Sequence, residues 1–204
     1  MTQNTPGTSG SGELGHDPVT RKLDLACGQN CRAGFEGVDR WSGAAHVVNL
    51  FRFPWPFADS SVAELHCSHF IEHIPMIEVD PAGTPVPFGE GVDLFFRFFD
   101  ECHRILVPGG WMEVITPCAR NDRAFQDPTH RRFIVAQTFL YLAKEFRVIN
   151  KLDHYGGTCD FGITVNPIID QTLMLKHPQV AERMMSHEWN RVQDWQARLQ
   201  CKKP

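Results

Sequence analysis

"RKLDLACGQNCRAGFEGVDRW", residues 21–41, decides the fold of this chain. A short apolar run, Leu23-Asp24-Leu25-Ala26, ends in Cys27-Gly28, and an isolated carboxylate, Asp39, follows. A run of this length bounded by a turn glycine reads as a buried strand. In an open parallel sheet, ligands bind beyond the carboxyl ends of the strands, and Gly28 stands just past such an end. Glycine there permits a sharp turn and a close approach by a ligand. Asp39 would end the neighbouring strand, where a carboxylate accepts both hydroxyl hydrogens of a ribose. The stretch is nevertheless short for a nucleotide loop. One glycine stands at the turn, and only ten residues separate Gly28 from Asp39. A plain β-turn with a surface aspartate accounts for the same residues, so the rest of the chain must decide.

Working outward, apolar runs alternate with longer amphipathic ones. "FEGVD", "HVVNL" and "SVAELHC" (61–67) are further strands, and "GVDLFFRFFDECHRIL" (91–106) is a helix. In that helix Leu94, Phe95, Phe98, Phe99, Cys102 and Leu106 share one face, and "PGG" stops it. "WMEVIT" (111–116) is a fifth strand. Strands with short connections, then a helix, then a strand, define an α/β domain with a mostly parallel sheet flanked by helices. Beyond it, "FIVAQTFLYLAKEF" is expected as a second amphipathic helix and "DFGITVNP" as strand-like. "HPQVAERMMSHEWNRVQDWQARLQ" is expected as a closing helix. The segment 75–90 has four prolines and no periodicity, which makes it a loop and a candidate lid.

Composition narrows the class. At 204 residues with 42% apolar content, the chain suits one domain with a real core; residues 18–204 are taken as that domain, with a C-terminal helical extension. The polar, Gly/Ser/Thr-rich residues 1–17 lack the basic and apolar regions of a signal peptide and are expected as a disordered tail. A net charge of −4 gives no general attraction to nucleic acid or anionic lipid. The arginines of "RNDR" and "HRRF" still leave a local basic patch, and with it a nucleic-acid contact, open. No apolar run approaches the length of a membrane span. Seven cysteines without CxxC spacing suit reduced thiols in a cytoplasmic protein. Cys27 and Cys31 lie four apart, and His66, Cys67 and His69 cluster, but no second close pair completes a four-ligand set, so no metal is expected.

Taken in order, "LDLACGQN", "GFEGVDR", "FPWPFADSSVAELHCSHFIEHI" and "FFDECHRILVPGGWMEVITP" resemble class I S-adenosylmethionine-dependent methyltransferases. The spacing matches a compact branch whose first helix after the glycine loop is nearly deleted, and "QDPTHRRF" resembles a segment found there after the fifth strand. The resemblance spans about residues 25–135 and implies a Rossmann-like fold, S-adenosylmethionine as cofactor and methyl transfer to an unidentified acceptor. It implies that Asp24, Ala26, Cys27 and Gly28 shape the loop around the methionine part and that Asp39 binds the ribose. Asn49 and Leu50, ending the third strand, would lie near the adenine. Cys67, Ser68 and His69, ending the fourth, would face the sulfonium and the acceptor. Two positions depart from the pattern: Asn30 replaces a second loop glycine and Asn49 replaces an acid. A methyltransferase fold without catalysis, serving in binding or assembly, is the alternative these departures leave.

Methyl transfer from a sulfonium is an in-line displacement, so the protein chiefly aligns donor and acceptor. A base is needed only if the acceptor loses a proton. The candidates are His66, His69, His73, Asp127 and His130, with His69 first because it lies just past a strand end. Strand alternation would turn His66 and Ser68 away from the side of Cys67 and His69. Asp127 and His130 either stand at the mouth of the site, with Arg131 and Arg132 meeting an anionic acceptor, or form a capped turn. The aromatic run "FRFPWPF" either stacks on a planar acceptor or packs in the core.

Overall fold

The computed structural model describes residues 20–203; the expected tail over 1–17 lies outside them. Short apolar runs become strands β1 (Lys22–Leu25), β2 (Glu36–Asp39), β3 (His46–Val47) and β4 (Val62–Ser68). A two-stranded ladder follows, β5 (Glu78–Val79) with β6 (Val92–Asp93). Helix α1 (Leu94–Ile105) leads straight into β7 (Leu106–Pro117). Then come the short helices α2 (Arg123–Gln126) and α3 (Lys144–Ile149), β8 (Phe161–Ile169), α4 (Gln171–Met174), α5 (Pro178–His187) and β9 (Val192–Cys201).

The main sheet has the order β3-β2-β1-β4-β7-β9-β8. β1, β2, β3, β4 and β7 run parallel, and β9 is antiparallel to both β7 and β8. The chain builds outward from β1 to β3 and returns to place β4 on the other side of β1. This reversal leaves a crevice outside the carboxyl ends of β1 and β4, where ligands of open α/β sheets bind.

Side-chain alternation divides the sheet into two unlike faces. Leu23, Leu25, Leu65, Cys67, Met112 and Val114 are fully buried in the core. α1 supplies Phe98, Phe99 and Cys102 to the same core, its amphipathic stripe turned inward. The side chain of Asp93 caps its start, accepting from the Phe95 amide at 2.7 Å. The intervening residues Asp24, His66 and Glu113 are cross-strand neighbours on the opposite face. His66 Nδ1 lies 2.7 Å from Asp24 Oδ1, and its Nε2 lies 3.7 Å from Glu113 Oε2. The connection from β1 to β2 carries no helix. It lays Arg32 over this row instead: the Arg32 amide donates to Asp24 Oδ2 at 2.7 Å, and its guanidinium pairs with Glu113. Phe35 meets the His66 ring edge-on at 6.1 Å between centroids. A face clad in polar residues needs no helix to bury it, which is the physical side of the shortened connection.

Four expectations are corrected. The closing helix stops at His187, and residues 192–201 form β9, so the C-terminus is no helical extension. Val192, Asp194, Ala197, Leu199 and Cys201 are buried there, close to a period of two, and pairing with β7 and β8 outweighs the helix propensity of "QARLQ". Residues 133–146 make no continuous helix. Ala136–Leu142 is a 3-10 run that buries Phe139 and Leu142 three apart, and the extended Ala143 separates it from α3. "PGG" does not end α1, which stops at Ile105; the glycines lie within β7, where Gly109 has φ 75° and a Cβ on Gly110 would stand 2.9 Å from the Ala63 carbonyl oxygen. The third strand ends at Val47, before Asn49 and Leu50.

The Pro-rich segment is anchored rather than free. Asp80 Oδ1 accepts from the amides of Ala82 and Thr84, and Glu78 Oε2 accepts from those of Gly89 and Gly91. The Phe53 amide donates to the Ala82 carbonyl at 3.0 Å. These bonds give the candidate lid an ordered conformation, tied to the preceding segment at Phe53. The aromatic run before it fills the core: Trp55 and Phe57 are buried, and Phe51 stacks on Phe70 at 5.5 Å.

Candidate functional site

The crevice is floored by the turn after β1. Ala26 and Gly28 take left-handed backbone angles, φ 57° and 53°, which fold the chain back at the strand end. The space where a Gly28 Cβ would stand is open, with no heavy atom within 4 Å. The Gly28 amide donates to Asp39 Oδ2 at 2.9 Å, and Asp39 Oδ1 accepts from the Trp41 amide at 2.8 Å. Asp39 therefore ties the ends of β1 and β2 together, and each of its oxygens keeps a lone pair for a further donor. Asp24 is buried and spends its carboxylate on His66 and the Arg32 amide, so it holds the loop from beneath. Burial, then Cys31, Asp24 and Asp39, push the Cys27 thiol up to about 11. Asn30 is exposed on the same loop.

Beyond β3, Asn49 Oδ1 accepts from the Phe51 amide at 3.1 Å, a local turn bond. Leu50 is 4% exposed and turns its side chain into the core. At the end of β4, Cys67 is fully buried, so it offers the crevice only its backbone, and burial holds its thiol well above the usual range. Ser68 follows on the polar side. His69 then takes φ 53°, uncommon for a residue with a side chain, and is exposed. That twist breaks the strand alternation at His69.

The 3-10 turn Ile71–His73 brings Glu72 back beneath His69. Glu72 is 1% exposed. His69 Nδ1 lies 3.4 Å from Glu72 Oε1, outside hydrogen-bond geometry, and the carboxylate raises the His69 pKa above its ordinary value. The other oxygen, Oε2, accepts from the Thr116 hydroxyl of β7 at 3.0 Å. The "DPTH" segment docks on this turn. The amides of Arg131 and Arg132 donate to the Glu72 carbonyl, at 2.8 and 3.0 Å. His130 is brought in, its Nε2 4.0 Å from Glu72 Oε1. Asp127 is not at the mouth as a free carboxylate: its Oδ1 accepts from both the amide and the hydroxyl of Thr129, at 2.7 Å each, and the hydroxyl, then the amide, lower its pKa.

The structure thus gathers Gly28 with Asp39 on one side of the crevice and His69 with His130 around Glu72 on the other. Glu72 was not singled out from the sequence; the available signal was a lone acid at i+3 from His69 inside the apolar "FIEHI". The four arginines expected in a basic patch divide: Arg120 and Arg131 are exposed, and Arg132 is drawn inward. Arg132 points inward to the carbonyls of Ile74 and Pro75 and to Asp93, Arg123 lies 3.4 Å from Asp194, and Arg120 donates to the Ser186 carbonyl. Of these, Arg132 meets part-buried carbonyls, while the Arg120 bond is at the surface. Among the described residues, no helix is long and apolar enough to cross a membrane.

The sheet order, the antiparallel β9 and the loop after β1 define the class I S-adenosylmethionine-dependent methyltransferase fold, as the sequence resemblance implied. A methyltransferase of that kind from Archaeoglobus fulgidus is similar over 89% of this chain and 86% of its own, with a TM-score of 0.56 and 15% identity. One from Methanosarcina mazei is similar over 90% of this chain and 93% of its own, with a TM-score of 0.50 and 14% identity. No protein-family model matches the sequence, and comparison with curated proteins gives no match.

Proposed function

We propose that the protein binds S-adenosylmethionine in the crevice beyond β1, β2 and β4 and transfers its methyl group to an acceptor held beside His69. The observation that carries this reading is the Gly28–Asp39 pair at the switch point of the sheet. An open glycine stands where a ligand must approach closely, next to a carboxylate with free lone pairs at the end of the adjoining strand. In this reading Ala26, Cys27 and Gly28 border the methionine part, with Asp24 holding the loop, and Asp39 takes the ribose hydroxyls. The backbone of Asn49 and Leu50 lies on the adenine side, and Cys67, Ser68 and His69 line the methyl end. The sulfonium is already activated, so alignment supplies most of the acceleration, roughly 7–11 kcal/mol. His69 is the group placed to take a proton from the acceptor, and His130 stands behind it across Glu72. Seven unpaired thiols support a reducing, cytoplasmic setting.

Calorimetric titration with S-adenosylmethionine and S-adenosylhomocysteine tests the reading, followed by transfer of labelled methyl to a cell extract. One-to-one binding with label transfer is expected. Binding without transfer supports a non-catalytic module, and binding of neither removes the cofactor from the account.

A further inference from the structure

Three side chains that the methyl-transfer reading leaves idle or secondary converge on one point. Ligand atoms of Glu72, His73 and His130 all lie within 4.8 Å of one another. We propose that they form a binding site for a divalent transition-metal ion, with Glu72, His73 and His130 as ligands. The site stands independently of whether the protein binds S-adenosylmethionine.

The first argument is an unmet demand. Glu72 is 1% exposed, its Oε2 is held by Thr116, and its Oε1 makes no hydrogen bond, its nearest neighbour being the exposed His69 Nδ1 at 3.4 Å. A buried carboxylate oxygen left without a donor costs several kcal/mol unless a cation or a proton meets it. The second argument is the tautomers. His130 Nδ1 faces the Ala124 carbonyl at 2.9 Å, so it donates there, and Nε2, 4.0 Å from Glu72 Oε1, is the nitrogen available to a metal. The Thr129 hydroxyl gives its single proton to Asp127, so it can only accept from His73 Nδ1, at 3.0 Å. His73 Nε2 is then the nitrogen left to a metal as well. Both imidazoles are thus held at one ring nitrogen by a protein acceptor, the arrangement that orients histidines around a metal. Asp127 and Thr129 act as positioning residues here.

Two imidazoles and one carboxylate suit zinc and ferrous iron and leave at least one coordination position open. Bound at ordinary bond lengths, tetrahedral ligands stand about 3.4 Å apart. The 4.0 Å between His130 Nε2 and Glu72 Oε1 closes to that by small side-chain rotations. The two rings meet edge-on, centroids 4.6 Å apart, so neither blocks the other. Two segments far apart in sequence, 71–73 and 127–132, are held together here by the bonds of the Arg131 and Arg132 amides to the Glu72 carbonyl, which do not involve the ligand atoms.

The test uses the full chain, stripped with a chelator and titrated with cobalt(II), then zinc. The expected result is one cobalt per chain with d–d absorption, no thiolate-to-cobalt charge-transfer band, and displacement by zinc. His73→Gln and His130→Gln should each weaken binding at least tenfold while circular dichroism is unchanged, and Thr129→Val should weaken it by about tenfold. Cys27→Ser with Cys31→Ser should leave it intact. Elemental analysis of the unstripped protein shows which metal it carries. Failure of folded wild-type protein to bind cobalt or zinc overturns the proposal. So does binding that survives both histidine substitutions, or that disappears with the two cysteines.

Discussion

Gly28 and Asp39 carry the cofactor end of the account at the scale of single residues. A side chain at Gly28 meets open space but must adopt φ 53°, at about 1–2 kcal/mol. Gly28→Ala should therefore cost about that much stability in urea unfolding and leave cofactor binding detectable. Gly28→Arg should place its guanidinium in the crevice and weaken binding by about 100-fold or more, some 2.7 kcal/mol, in a chain that still folds. Asp39→Ala removes the acceptor for the Gly28 and Trp41 amides together with the proposed ribose contact. A loss of about 1.5–3 kcal/mol in S-adenosylmethionine affinity is expected by calorimetry, and an affinity within twofold of wild type would leave Asp39 a loop fastener only. Cys27, with its thiol pushed up to about 11, stays protonated at neutral pH. Alkylation at Cys27, followed by peptide mass spectrometry, should be slow at pH 8, accelerate towards pH 11, and slow again with cofactor bound.

Elements divide into those that alternation made legible and those that tertiary pairing decided. β1 and β4 could be read because "LDL" and "ELHC" each set polar against apolar at a period of two, and β7 because "WMEVIT" is a short, mostly apolar run after a glycine pair. α1 could be read because its aromatic stripe holds a helical period throughout. Phe98 stands at the centre of that stripe, against Trp55 and Phe70 at 5.6 and 5.5 Å, and Phe98→Ala should cost about 3–5 kcal/mol in chemical denaturation. β9 was not legible, because its residues also fit a helix and only β7 and β8 on either side settle the matter. Leu199→Asp, at a fully buried strand position, should abolish cooperative unfolding. Val180→Asp on the exposed side of α5 should change stability by no more than about 0.5 kcal/mol. Had the C-terminus been a surface helix, the two substitutions would be tolerated alike. Of the site, Gly28, Asp39 and His69 announced themselves as strand-end residues. Glu72 did not, since a carboxylate in a 3-10 turn gains its place only when Thr116 and the "DPTH" segment close over it.

The whole molecule is a switch-point sheet with one apolar and one polar face, and its proposed chemistry is confined to the carboxyl ends of β1, β2, β4 and β7. A cavity of about 820 Å³ opens elsewhere, between the β5–β6 ladder, the start of α1 and Tyr141 and Tyr155. Its lining includes neither Gly28 nor Asp39, so a cofactor bound there would touch neither residue. The most direct measurement is therefore S-adenosylmethionine affinity across wild type, Gly28→Arg, Asp39→Ala and Tyr155→Ala, each checked for folding. The account predicts one-to-one binding by wild type and Tyr155→Ala, and strong loss in the other two. Undiminished binding by folded Gly28→Arg and Asp39→Ala, or loss confined to Tyr155→Ala, would contradict it.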